Sequence, residues 1–192
     1  LTLNTPLTGS IGFAADTDLF SMALTAGVNY GFAVNGTTLS DPYLEVLDST
    51  GTTLRTDDDG GDDLNAYLTY TPSTTGTNFL AARESGNNAT GNFIAQFWQI
   101  PAVSIDSPVA VEGDSGTSNL TFTLTLSSAS PIPVTVDVAT LGSATATAGS
   151  DYVPFARTVT FASGQTSATL SVQVIGDLAF EPTEAFHLKL SN

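Results

Sequence analysis

The chain has 192 residues, 41% of them hydrophobic, with no Cys and with 19 Asp and Glu against 4 Lys and Arg, a formal net charge of −15. That balance excludes a nucleic-acid partner or an anionic membrane, both of which need clustered cations. Without Cys there are no disulfides, no thiol nucleophile and no thiolate zinc site. So acidic a surface suits divalent cations or a salty medium, because repulsion among carboxylates is relieved by counterions.

No segment approaches the roughly 18 consecutive apolar residues of a membrane span, so membrane insertion is not expected. The first residues lack the basic, apolar and small-residue zones of a signal peptide, which reads as a mature fragment. No window repeats apolar residues at three and four positions. Alternation with a period of two recurs instead and predicts an all-β chain.

In the first half the alternating runs are Phe20-Met22-Leu24, Tyr30-Phe32-Val34, Leu44-Val46, Leu68-Tyr70, Phe79-Ala81 and Phe93-Ala95-Phe97. Turns are expected between them at Asn35-Gly36 and Ser49-Thr50-Gly51. Asp16 and Asp18 mark either a cation site or a polar turn. The loop Asp57-Asp58-Asp59-Gly60-Gly61-Asp62-Asp63 is the densest charge run of the chain. Interspersed Gly lets carboxylates turn inward, which makes Asp57, Asp59 and Asp62 secondary candidates for cation ligands; the other reading is a solvated loop tip. The spacing does not match an EF-hand.

Three stretches of this half carry a resemblance: Gly12-Phe13-Ala14-Ala15-Asp16-Thr17-Asp18-Leu19-Phe20, Asp41-Pro42-Tyr43-Leu44-Glu45-Val46-Leu47-Asp48 and Gly76-Thr77-Asn78-Phe79-Leu80. In their order they resemble the bacterial pre-peptidase C-terminal (PPC) domain. The resemblance implies a jelly-roll-like sandwich, of a kind attached to secreted enzymes and surface proteins. The aromatic strand ends at Gln99-Ile100-Pro101 and a new strand begins at Val103-Ser104-Ile105, so two domains are expected, 1–99 and 102–192.

The second half alternates more cleanly. Leu120, Phe122, Leu124 and Leu126 share one face, with Thr121, Thr123 and Thr125 on the other; Val134-Val136-Val138, Leu170-Val172-Val174 and Phe186-Leu188-Leu190 follow. Such strands, each with one wet face, predict an antiparallel sandwich. His187 alternates with Phe186 and Leu188 and should face solvent.

Between these strands stand Val111-Glu112-Gly113-Asp114-Ser115-Gly116, Ala148-Gly149-Ser150-Asp151-Tyr152, Phe161-Ala162-Ser163-Gly164-Gln165-Thr166 and Gly176-Asp177-Leu178-Ala179-Phe180-Glu181-Pro182-Thr183-Glu184-Ala185-Phe186. Their order resembles the Calx-β family. The resemblance implies an immunoglobulin-like sandwich that binds calcium at one tip. It nominates Glu112, Asp177, Glu181 and Glu184 as side-chain ligands and the Ala179 carbonyl as a backbone ligand. Asp151 is a secondary candidate, read first as a turn carboxylate that caps amides. The chain departs from the family in the acid-free stretch Leu141-Gly142-Ser143-Ala144-Thr145 and in ending at Leu190-Ser191-Asn192, where a further strand is expected.

The overall expectation is two tandem antiparallel β-sandwiches, jelly-roll-like then immunoglobulin-like, with Ca2+ as the bound cation. One His, no Cys and no Gly-x-Ser-x-Gly elbow argue against catalysis. The leading functional reading is a calcium-binding adhesion or structural module pair of a larger secreted bacterial surface protein, extracellular or at the cell surface. Its partners would be other surface proteins or copies of itself joined by strand donation. The alternatives are a substrate-binding appendage of a secreted protease, or a filament or surface-layer subunit completed by a neighbour's strand.

Overall fold

The computed structural model describes residues 1–142 and 144–191. The acid-free stretch 141–145 includes Ser143 and the chain end includes Asn192; both residues lie outside the described set. The described residues contain strands and no helix, and they divide into two compact units, Leu1–Ile100 and Pro101–Asn192.

The first unit has eight strands: β1 (Leu7–Ile11), β2 (Thr17–Leu24), β3 (Tyr30–Gly36), β4 (Pro42–Leu47), β5 (Thr53–Asp57), β6 (Ala66–Tyr70), β7 (Gly76–Glu84) and β8 (Gly91–Gln99). They form two antiparallel sheets, ordered β1-β8-β3-β6 and β2-β7-β4-β5, which is the jelly-roll order. Alternate residues of both sheets face one core: Phe32, Val34, Phe93 and Ala95 from one, Leu44, Val46, Leu80 and Ala82 from the other, all fully buried. Phe32 and Phe97 stack within it at 6.1 Å.

Two readings of this half change. On β7 the core face carries Leu80 and Ala82, with Asn78 and Glu84 in line, so Phe79 stands half-exposed on the other side. Asn35 and Gly36 finish β3, opposite Ile94 and Phe93, instead of turning. The turn comes immediately after, where the amides of Thr37, Thr38 and Leu39 all reach Asn92 O. At Ser49-Thr50-Gly51 the expected turn is present, closed by Asp48 Oδ1 on the Thr50 and Thr52 amides at 2.8 and 2.9 Å, with Gly51 at φ 86°.

The second unit has six strands: β9 (Val103–Ile105), β10 (Gly116–Leu126), β11 (Val134–Leu141), β12 (Ala156–Phe161), β13 (Ser167–Gly176) and β14 (His187–Ser191). Two three-stranded antiparallel sheets, β13-β10-β9 and β12-β11-β14, enclose a core of Phe122, Leu124, Val136, Val138, Phe161, Leu170 and Val172. This is an immunoglobulin-type arrangement. The Thr face of β10 is outward, and Thr121 Oγ1 meets Ser171 Oγ across the strands at 3.0 Å. Leu188 and Leu190 are half-buried on β14, and His187 beside them is exposed. The sheet order leaves β14 at an edge.

Candidate metal centre

Three connections of the second unit carry its acidic side chains to one tip. The β9–β10 connection brings Glu112, which is half-buried and accepts the Asp177 amide on Oε1 at 3.3 Å. That approach depends on Gly176 at the end of β13. A Cβ there would lie 2.6 Å from Gly113 O and 3.0 Å from Glu112 O, too close for any side chain. Gly113 itself takes φ 88°, which aims the chain across the end of β13.

The β11–β12 connection brings Asp151. Its Oδ2 accepts the Thr147 amide at 2.5 Å and its carbonyl accepts the Ile175 amide at 2.9 Å, so the turn is tied to β13. Tyr152, 1% exposed, fixes the turn from below by stacking on Phe186 with centroids 4.5 Å apart and planes at 23°. The β13–β14 connection brings Asp177, Glu181 and Glu184. Its far end is pinned by the Ala185 amide on Thr145 Oγ1 at 2.8 Å and the Ala146 amide on Ala185 O at 2.9 Å.

Oxygens of Asp151, Glu181 and Glu184 lie within 4.8 Å of one another. Glu112 and Asp177 stand near enough for their charges to act on Glu181. Its carboxyl is raised above the ordinary range, by desolvation first and then by Asp151, Glu112 and Asp177. Glu184 is raised too, chiefly because a shared proton with Asp151 favours its neutral form, then by desolvation and by the charges of Asp151, Glu181 and Glu112. Glu184 Oε2 is enclosed and has no hydrogen-bond donor. With both carboxyls ionised, no proton is left to share, and the oxygens face each other as anions.

These donors fit a hard cation. All are oxygens, they come from separate loops, and one is enclosed and unpartnered, as calcium coordination by several carboxylates requires. The sequence-nominated Glu112, Asp177, Glu181 and Glu184 reach the same tip. Asp151 both caps its turn and faces the cluster. Ala179 lies exposed within the loop, its amide held by Asp177 Oδ1 at 2.6 Å.

In the first unit, Asp57 is occupied by backbone. Its Oδ2 accepts the Gly60 and Tyr67 amides at 2.8 and 2.9 Å and closes the acidic loop. Asp62 contributes its carbonyl to Asn65, and its carboxylate is outside the acidic groups gathered among the described residues. Asp59 is gathered with Asp58 of the same run and with Asp41, which lies outside it. Asp16 Oδ2 and Asp18 Oδ2 accept the Gly12 and Ser10 amides at 2.9 and 3.3 Å, as a polar turn would.

Residues 102–192 match the Calx-beta domain family. The carboxylate tip described above lies within these matched residues. Among solved structures, the pre-peptidase C-terminal domain of a collagenase from Bacillus anthracis is similar at 13% identity and a TM-score of 0.42, over 50% of this chain and 89% of that one. No curated protein matches the chain.

Proposed function

We propose that this chain is a non-catalytic, calcium-binding module pair of a secreted or cell-surface bacterial protein, with the metal stiffening the Calx-beta tip for adhesion or for spacing of other domains. The observation that carries this reading is the convergence of Glu112, Asp151, Asp177, Glu181 and Glu184 from three connections, with Glu184 Oε2 enclosed and unpartnered. Asp151, Glu181 and Glu184 would hold the ion, and Glu112 and Asp177 would complete its oxygen shell. Bound calcium supplies the positive charge that this tip lacks. No helix among the described residues is long and apolar enough to cross a membrane.

Thermal unfolding of the full chain in millimolar calcium and in excess chelator tests the proposal. Metal that binds only the folded state raises the midpoint by mass action, about 2.7 kcal/mol at one hundred times the dissociation constant. An unchanged midpoint on chelation would remove the metal from the account.

A second reading adds a partner. Among the described residues β14 stands at the edge of its sheet, beside β11 alone. A strand from another copy laid along β14 would pair this edge. Sedimentation at rising concentration tests it, and a monomer throughout would count against it.

A further inference from the structure

We propose that Asp41, Asp58 and Asp59, backed by Glu84, form a calcium site in the first unit, separate from the Calx-beta tip and independent of it. Strand register brings the four together. β5 runs antiparallel to β4 with Asp57 opposite Leu44, so the residues after Asp57 run back past the start of β4 towards Asp41. On the other side of β4, β7 places Glu84 opposite Pro42. Oxygens of Asp41, Asp58 and Asp59 lie within 4.8 Å of one another as a result.

Proximity of acids alone would prove little. What points to a ligand is the state of two of these oxygens: Asp41 Oδ1 and Asp58 Oδ1 each expose less than 1 Å² and meet no hydrogen-bond donor. An enclosed carboxylate oxygen loses its hydration and must be compensated by a donor or a cation. The protein's own donors are committed to other atoms. Ser85 Oγ donates to Asp58 Oδ2 at 2.9 Å, and the Asn88 amide donates to Glu84 Oε2 at 2.8 Å. Glu84 is only 5% exposed, so its charge is delivered to the cluster with little screening by water.

Arg83, next to Glu84 in sequence, has its guanidinium engaged by other groups. Arg83 reaches Glu45 at 3.5 Å and lies 3.7 Å above the Tyr43 ring, with NH1 on the carbonyls of Glu84 and Ser85. An all-oxygen set drawn from the ends of three strands suits calcium, which takes six to eight oxygens in flexible geometry. It suits magnesium less, because magnesium demands a tighter octahedron and keeps its waters.

The test is calcium stoichiometry and affinity of the full chain by native mass spectrometry and calorimetric titration. Glu181→Gln/Glu184→Gln is used as the background to silence the Calx-beta tip. This background should still bind one calcium. Adding Asp59→Asn, an exposed position with little role in folding, should weaken that binding about tenfold, and Asp41→Asn/Asp58→Asn should abolish it with circular dichroism unchanged. A background variant that binds no calcium, or binding indifferent to Asp59→Asn, overturns this site. A wild-type chain that loses no calcium on Glu181→Gln/Glu184→Gln overturns the Calx-beta reading instead, so the two fail separately.

Discussion

In the first unit the acidic cluster sits at the ends of paired strands: Asp41 precedes β4, Asp58 and Asp59 follow β5, and Asp41 Oδ1 and Asp58 Oδ1 are enclosed. In the Calx-beta half the cluster is assembled by connections, and Asp177 and Glu181 are exposed. What fixes those connections is one glycine contact, one aromatic stack and a few backbone bonds. A cluster anchored at the ends of paired strands is expected to depend less on a cation for its geometry. A loop-held cluster must resist its own repulsion with little behind it, so its order and its stability depend more heavily on metal and on pH.

That contrast can be broken most forcefully at the aromatic stack. Tyr152→Ala removes a fully buried ring and the contact with Phe186, and should cost about 3–5 kcal/mol in urea unfolding followed by circular dichroism. It should also weaken calcium binding, since Asp151 and Glu184 flank the two rings in sequence. A loss below about 1 kcal/mol would mean that the loops are held by something else. Next in size is Gly176→Val. Forcing a side chain against Gly113 O and Glu112 O should cost about 1–3 kcal/mol and separate Glu112 from the Asp177 amide. Loss of calcium affinity without loss of stability would place the glycine's role in the site alone.

On the first unit, Asp57→Ala strands the Gly60 and Tyr67 amides and should cost about 1–2 kcal/mol. Trp98, the single Trp of the chain and buried in this unit, reports it by fluorescence in urea. The calcium count should stay as it was, which separates the loop-closing Asp57 from the cluster beside it.

The subtlest test is pH. Glu181 and Glu184 both sit above their ordinary carboxyl range when folded. Between the ordinary and the raised values the folded state binds more protons than the unfolded one, so stability falls as pH rises through that window. Without metal, the Calx-beta half should therefore gain stability as pH drops from neutral into the window, while its calcium affinity falls because protons compete for the same oxygens. Metal-free stability that only declines on acidification would contradict the repulsion assigned to this tip.

Much of this architecture is legible in the residues. Runs such as Phe93-Ala95-Phe97 and Phe122-Leu124-Leu126 alternate because one face is buried, and the strands follow. β1 and β5 escape the same reading. Each lies at a sheet edge and sends few side chains into the core, so Leu7–Ile11 and Thr53–Asp57 carry no clear apolar alternation.

The Calx-beta acids are visible because family spacing marks Glu112, Asp177, Glu181 and Glu184. Asp151 is harder to place, since a turn-capping carboxylate and a ligand look alike in sequence. In the first unit, charge density draws the eye to residues 57–63, yet one of those acids is used up on backbone amides. Asp41 and Glu84, which complete the cluster, lie 17 and 26 positions from Asp58 and are joined to it only by strand pairing.

Glu112 and the Asp177 amide meet across 65 residues of chain. Their meeting requires β10 and β13 to be paired over their full length first, from Thr125 opposite Ser167 to Gly116 opposite Gly176. Closing so long a loop is slow and costs entropy before any contact compensates it, so this tip is expected to close late in folding. A ligand that engages only after the rate-limiting step leaves the folding rate almost untouched and acts on escape from the native state. Calcium at this tip would then set the lifetime of the folded module more than the speed of its formation.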